Sequence, residues 1–139
     1  MKVFIFSTGP EALHDVQTRL EGMGCEVVWL EVETFHWHLR EMREANVVVD
    51  LVDWEFRHRT NIDDVEEFLL SELEWSYCSS GKPMLLFLVT EHDHHLDRYV
   101  AGAANVLVNR RGQPLPDETL LRLRYRYVPA YANSAELVA

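Results

Sequence analysis

Apolar residues along this chain follow two rhythms. The run Lys2 to Phe6, the 45–53 segment Ala-Asn-Val-Val-Val-Asp-Leu-Val-Asp and the 82–89 segment Lys-Pro-Met-Leu-Leu-Phe-Leu-Val lack period-2 alternation. Strands covered on both faces of a parallel sheet read this way. Elsewhere apolar positions recur at spacings of three and four, at Leu13, Val16, Leu20 and Met23 and again at Ile62, Val65, Phe68, Leu69, Leu73 and Tyr77. Helices that bury one face have this spacing. The pattern predicts strands at 2–6, 25–32, 45–53, 82–89 and 105–108, alternating with helices over 11–23, 34–44, 62–80, 96–101 and 116–127. Ser7 or Thr8 caps the first helix, Pro10 stands in its first turn, Gly22 and Gly24 stop it, and Thr34 caps the second.

Strict alternation of strand and helix implies right-handed crossovers and helices on both faces of a parallel sheet. The expected fold is therefore α/β, a flavodoxin-like three-layer sandwich with a five-stranded parallel sheet in the order 2-1-3-4-5. One domain over 1–128 and a C-terminal tail over 129–139 account for the chain. In such sheets ligands sit beyond the C-terminal strand ends, at the point where strand order reverses. That places Ser7, Thr8, Gly9 and Pro10 beside Asp50 and Asp53, and makes these the candidate site. An acidic wall facing hydroxyls and backbone amides suits a polar, neutral, hydroxylated ligand such as a nucleoside. Trp54 and Phe56, which follow the third strand, are the aromatic residues best placed to stack on a base.

Composition narrows the partners. With 13 Lys and Arg against 23 Asp and Glu the formal charge is −10, which argues against nucleic acid and anionic membrane surfaces. Arg110, Arg111, Arg122, Arg124 and Arg126 cluster late and read as a solvated helix end complementing the macrodipole. Cys25 and Cys78 suggest no disulfide framework, and no apolar run resembles a secretory signal or reaches the roughly 18 residues of a membrane span, so a cytoplasmic protein is expected. His92, His94 and His95 read as a polar loop rather than a metal site, and no cofactor is expected. Phe35, Trp37, Phe68 and Trp75 exceed what one core face needs, so a homo-oligomer built through the second and third helices is expected.

The first strand with Gly9 and Pro10, the 45–53 strand, and the 72–83 segment Glu-Leu-Glu-Trp-Ser-Tyr-Cys-Ser-Ser-Gly-Lys-Pro together resemble the nucleoside 2-deoxyribosyltransferase family and its TIR-like relatives. The resemblance implies cleavage of an N-glycosidic bond, with a helix-borne Glu attacking the anomeric carbon and a strand-end Asp managing the base and sugar. The nucleophile then maps to Glu74 or Glu72, and the strand-end acids to Asp50 and Asp53. The ligand that the resemblance implies is a nucleoside or nucleotide.

The last third, with its 82–90 strand, the 101–109 segment Ala-Gly-Ala-Ala-Asn-Val-Leu-Val-Asn and the 120–124 segment Leu-Leu-Arg-Leu-Arg, is similar to response-regulator receiver domains. Under this resemblance Asp50 stands for the phospho-acceptor and Thr90 for the switch hydroxyl. A phosphorylatable receiver also needs two acids after strand 1 for Mg²⁺ and a Lys after strand 5 for the phosphate. Ser7, Thr8 and Asn109 stand there instead, which implies a receiver working by protein contact.

Overall fold

The apolar runs lack alternation because both faces of the sheet they form are buried. The computed structural model describes residues 1–9, 13–53, 83–90, 105–127 and 137–138. The elements are β1 (Lys2–Phe6), α1 (His14–Gly22), β2 (Glu26–Leu30), a 3-10 helix η1 (Val32–Trp37), α2 (Leu39–Met42), β3 (Asn46–Asp50), β4 (Leu85–Val89), β5 (Val106–Arg110), α3 (Asp117–Leu123), β6 (Arg126–Tyr127) and β7 (Leu137–Val138). Five strands make one sheet in the order β2-β1-β3-β4-β5, and every neighbouring pair is parallel. This is the expected flavodoxin-like topology. The crossover helices expected over 62–80 and 96–101 lie outside the described residues.

Successive side chains of a strand point to opposite faces, and the buried residues sort accordingly. Phe4, Phe6, Val47, Val49, Leu85 and Phe87 form one core layer with Val32, Phe35 and Met42 from η1 and α2. Val3, Ile5, Val48, Leu86 and Leu88 form the other with Val16 and Leu20 of α1 and Leu120 and Leu123 of α3. Asn46 is fully buried at the start of β3 and ties the two ends of the fold together. Its Nδ2 donates to the carbonyls of Leu123 at 2.6 Å and Tyr125 at 2.9 Å, and its Oδ1 accepts the Met84 N–H at 2.7 Å.

Several local expectations change. The second helix is not a continuous α-helix over 34–44 but η1 followed by the short α2. A 3-10 helix aligns residues three apart, so Val32 and Phe35 share its buried side, and Phe35 meets the Phe6 ring edge-on at 5.8 Å. β-Branched and aromatic residues, poor helix formers, make up most of that stretch. Thr34 lies inside η1 and donates its hydroxyl to the Glu31 carbonyl, so it is not a cap. Nor do Ser7 and Thr8 cap α1, whose N-cap Leu13 makes no side-chain hydrogen bond; both hydroxyls are turned to Asp50 and Asp53. Gly24 adopts φ +87° just past the C-cap Met23, as a helix stop requires. Within the stretch read as a tail, β7 pairs antiparallel with β6.

Candidate functional site

Parallel strands deliver their C-terminal ends to one edge of the sheet, and here β1, β3 and β5 bring three polar segments together. Asp50 closes β3 and is 1% exposed. Its Oδ2 accepts the Ser7 hydroxyl at 2.9 Å and Arg111 Nε at 3.1 Å, and its Oδ1 accepts the Asp53 N–H at 3.3 Å. The last bond is that of an N-cap to the third residue of the helical turn at 51–53. Asp53, presented by that turn, accepts the Thr8 N–H and hydroxyl at 2.5 Å each and Ser7 Oγ at 3.2 Å on Oδ2, and Arg111 Nη2 at 3.2 Å on Oδ1. The Ser7 hydroxyl oxygen also accepts the Gly9 N–H at 3.1 Å. A Cβ on Gly9 would stand 3.0 Å from Arg111 Nη2, so a side chain there would press on the guanidinium.

The expected site residues Ser7, Thr8, Gly9, Asp50 and Asp53 therefore meet in one cluster. Its walls are in direct contact, hydroxyl to carboxylate, rather than facing each other across an open acidic crevice. Thr90 stands half-buried just past the C-terminal end of β4. Pro10, Trp54, Phe56, Glu72 and Glu74 lie outside the described residues, as does the loop of His92, His94 and His95. Of the aromatic residues expected at a subunit interface, Phe35 is fully buried in the core, whereas Trp37 is 79% exposed; Phe68 and Trp75 lie outside the described residues.

Arg111 is the member that sequence reasoning misplaced. It is not part of a solvated helix end; it is the first residue after β5, its N–H donates to the Val89 carbonyl at 2.8 Å, and its side chain spans both aspartates. The available signal was positional. In a sheet of this topology a cation immediately after the fifth strand emerges on the edge that carries the strand-3 acids.

One guanidinium between two carboxylates leaves the cluster with one excess negative charge when both acids are ionised. The acids do not share that charge evenly. Burial, reinforced by the charge of Asp53, raises the Asp50 carboxyl above its ordinary value despite the Ser7 bond and Arg111. For Asp53 burial acts upward too, but the Thr8 hydroxyl and amide, Arg111 and Ser7 together outweigh it and hold the carboxyl below its ordinary value. Among the described residues no group of three His, Cys, Asp or Glu is placed to hold a metal ion, and no helix is long and apolar enough to cross a membrane. Comparison of the chain with protein-family models, curated proteins and solved structures finds no match in any of the three.

Proposed function

We propose that the chain is a receiver-like module that acts by protein contact and does not accept a phosphoryl group. The observation that carries this reading is the ion pair between Arg111, first after β5, and Asp50, last in β3, at 3.1 Å. A phosphorylatable receiver needs two acids after strand 1 for Mg²⁺ and a Lys after strand 5 for the phosphate; Asn109, expected at that last position, lies inside β5, and Arg111 follows the strand instead. Here a permanent cation is already seated on the carboxylate, and Ser7 and Thr8 donate hydrogen bonds where those acids would be. Incubation with acetyl phosphate and Mg²⁺, followed by intact-mass and peptide analysis, is expected to leave Asp50 unmodified. An aspartyl phosphate mapped to Asp50 would overturn the reading.

A nucleoside-processing enzyme is the second reading, favoured by a different observation. Two neighbouring carboxyls whose proton affinities are pushed apart, Asp50 upward and Asp53 downward, form the kind of pair that acid–base chemistry uses. Its nucleophile is Glu74 or Glu72. Chromatography of the wild type with a panel of nucleosides and NAD, beside Glu74→Ala and Glu72→Ala, decides between the two. Base released by the wild type and lost in a variant would replace the first reading with the second.

Assembly through the η1 surface belongs to the same proposal. The support is Trp37, a large apolar side chain left 79% exposed. Size-exclusion chromatography with light scattering should show a dimer or larger species that Trp37→Ser converts to monomer; a monomeric wild type at high micromolar concentration would refute it.

A further inference from the structure

On the side of the sheet that α1 and α3 cover, a cavity of about 400 Å³ opens between α1, the end of β4 and the loop that follows β5. Cavities of roughly 300 to 1,000 Å³ with an apolar body and a few placed polar groups are those that hold small organic ligands. Val16, Leu88 and Leu115 supply the apolar side here, and Asp50, Arg111 and Gln113 the polar side.

Charge balance restricts what fits. Among the described lining residues the charged ones are Asp15, Asp50, Arg110 and Arg111, and because Arg111 is shared by Asp50 and Asp53 this corner carries one excess negative charge when both acids are ionised. An anion entering the cavity would give up its hydration without meeting an uncompensated positive charge. Geometry restricts it further. Arg111 is gripped at Nε and at Nη2 by two different carboxylates, so its planar guanidinium is held in one orientation. Guanidinium planes stack on aromatic faces.

The loop carrying Gln113 is also braced. Gly112 turns it at φ +89°, the Gln113 N–H donates to the Arg110 carbonyl at 3.1 Å, and Asn109 Nδ2 donates to the Gln113 carbonyl at 3.2 Å. A wall fixed in this way loses little freedom when a ligand binds.

We propose that this cavity is a binding site for a small, planar heteroaromatic molecule that carries no negative charge. The ring lies over Leu88 against the Arg111 guanidinium, and a polar amide-like edge meets Gln113. The inference does not rest on the receiver-like reading, because the acetyl phosphate experiment reads modification of Asp50 whereas the titration below reads ligand binding to the unmodified chain. A nucleobase belongs to the same chemical class, so the base-release assay above distinguishes binding here from nucleoside cleavage.

The test is titration of the ¹⁵N-labelled full chain with quinazolin-4-one, a neutral bicyclic amide, beside benzoate as an anionic control. Expected are saturating amide shifts at Val16, Gly112 and Gln113 with a dissociation constant of about 1 mM or tighter, the range open to a fragment of this size. Benzoate should produce no saturating shift. Val16→Trp, which fills the apolar side, should abolish binding. Gln113→Ala, at an exposed position that the fold tolerates, should weaken it roughly fivefold, the equivalent of one hydrogen bond. If Val16→Trp does not fold, Gln113→Ala alone decides. An absence of saturation with quinazolin-4-one, equal binding of benzoate, or undiminished binding in the folded variants would overturn the proposal.

Discussion

At the scale of single residues, the Asp50–Arg111 pair decides more than any other contact in the site. Removing one partner of a buried ion pair strands the other charge, at about 3–5 kcal/mol when both are fully enclosed. Arg111 keeps 33% of its side chain in solvent, and Asp50 can answer by taking up a proton, so Arg111→Met should destabilise by only about 2 kcal/mol in urea unfolding. Adding Asp50→Asn should recover about 1 kcal/mol of that, since the stranded charge is gone; simple additivity would contradict the pairing. The same aspartate leaves a signature in pH. With its carboxyl raised by burial above the ordinary 3.8, the native state holds a proton that the unfolded chain has released, so this stabilisation is complete below 3.8 and is lost as pH rises through the raised value. Asp53 has the opposite sign, its contribution being present above 3.8 and lost as pH falls through its lowered value. Asp50→Asn should therefore gain stability relative to the wild type as pH climbs from 3.8 through the raised value, measured as a difference of urea midpoints. A difference independent of pH would refute the assignment. Asp50, Asp53, Ser7 and Thr8 were legible as a cluster because strand ends are legible. Arg111 was not, since an arginine after a strand reads as solvated until the topology shows which acids it faces.

Among the elements, the strands were the most readable. β1 has the bounds that its apolar run predicts, and β3 and β4 fall inside theirs, because a strand buried on both faces shows as a continuous apolar run with polar residues only towards its ends. The ends of helices were less readable because tertiary contacts set them. η1 forms in place of an α-helix so that Val32 and Phe35 reach one core layer, and Ser7 and Thr8, instead of accepting helix N–H groups as caps, donate their hydroxyls to Asp50 and Asp53. Asn46 was invisible as a structural residue, since an Asn in an apolar run carries no periodic signal. It nevertheless joins β3, β4 and the end of α3 through three hydrogen bonds. Asn46→Leu keeps the volume but leaves the Met84 N–H and the Leu123 carbonyl buried without that partner, at about 1–3 kcal/mol for each unsatisfied group. A loss of roughly 3 kcal/mol in urea unfolding is expected, with early loss of hydrogen-exchange protection around α3. A loss below about 0.5 kcal/mol, the range of ordinary surface changes, would show that these bonds do not hold α3 to the sheet.

For the whole molecule, the parallel sheet was legible from the alternation of strand and helix and its order from the commonest way such a chain winds, whereas the balance of charge has consequences that no element shows. The chain carries a formal charge of −10, so its compact state works against self-repulsion. Exposed pairs such as Arg19 with Asp15 and with Asp117, which link α1 to itself and to α3, offset little of that and are themselves screened. Raising NaCl from about 0.01 to about 0.15 M shortens the Debye length from about 30 to about 8 Å. Repulsion among many surface carboxylates weakens over that range, while the Asp50–Arg111 contact at 3.1 Å is largely shielded from salt. The urea midpoint of the wild type should therefore rise with salt, and that of Arg111→Met should rise in parallel, the two curves staying separated within about 0.5 kcal/mol. Convergence of the curves at high salt would mean that Arg111 acts as an ordinary surface charge, and a midpoint falling with salt would mean that attraction, not repulsion, dominates this acidic surface.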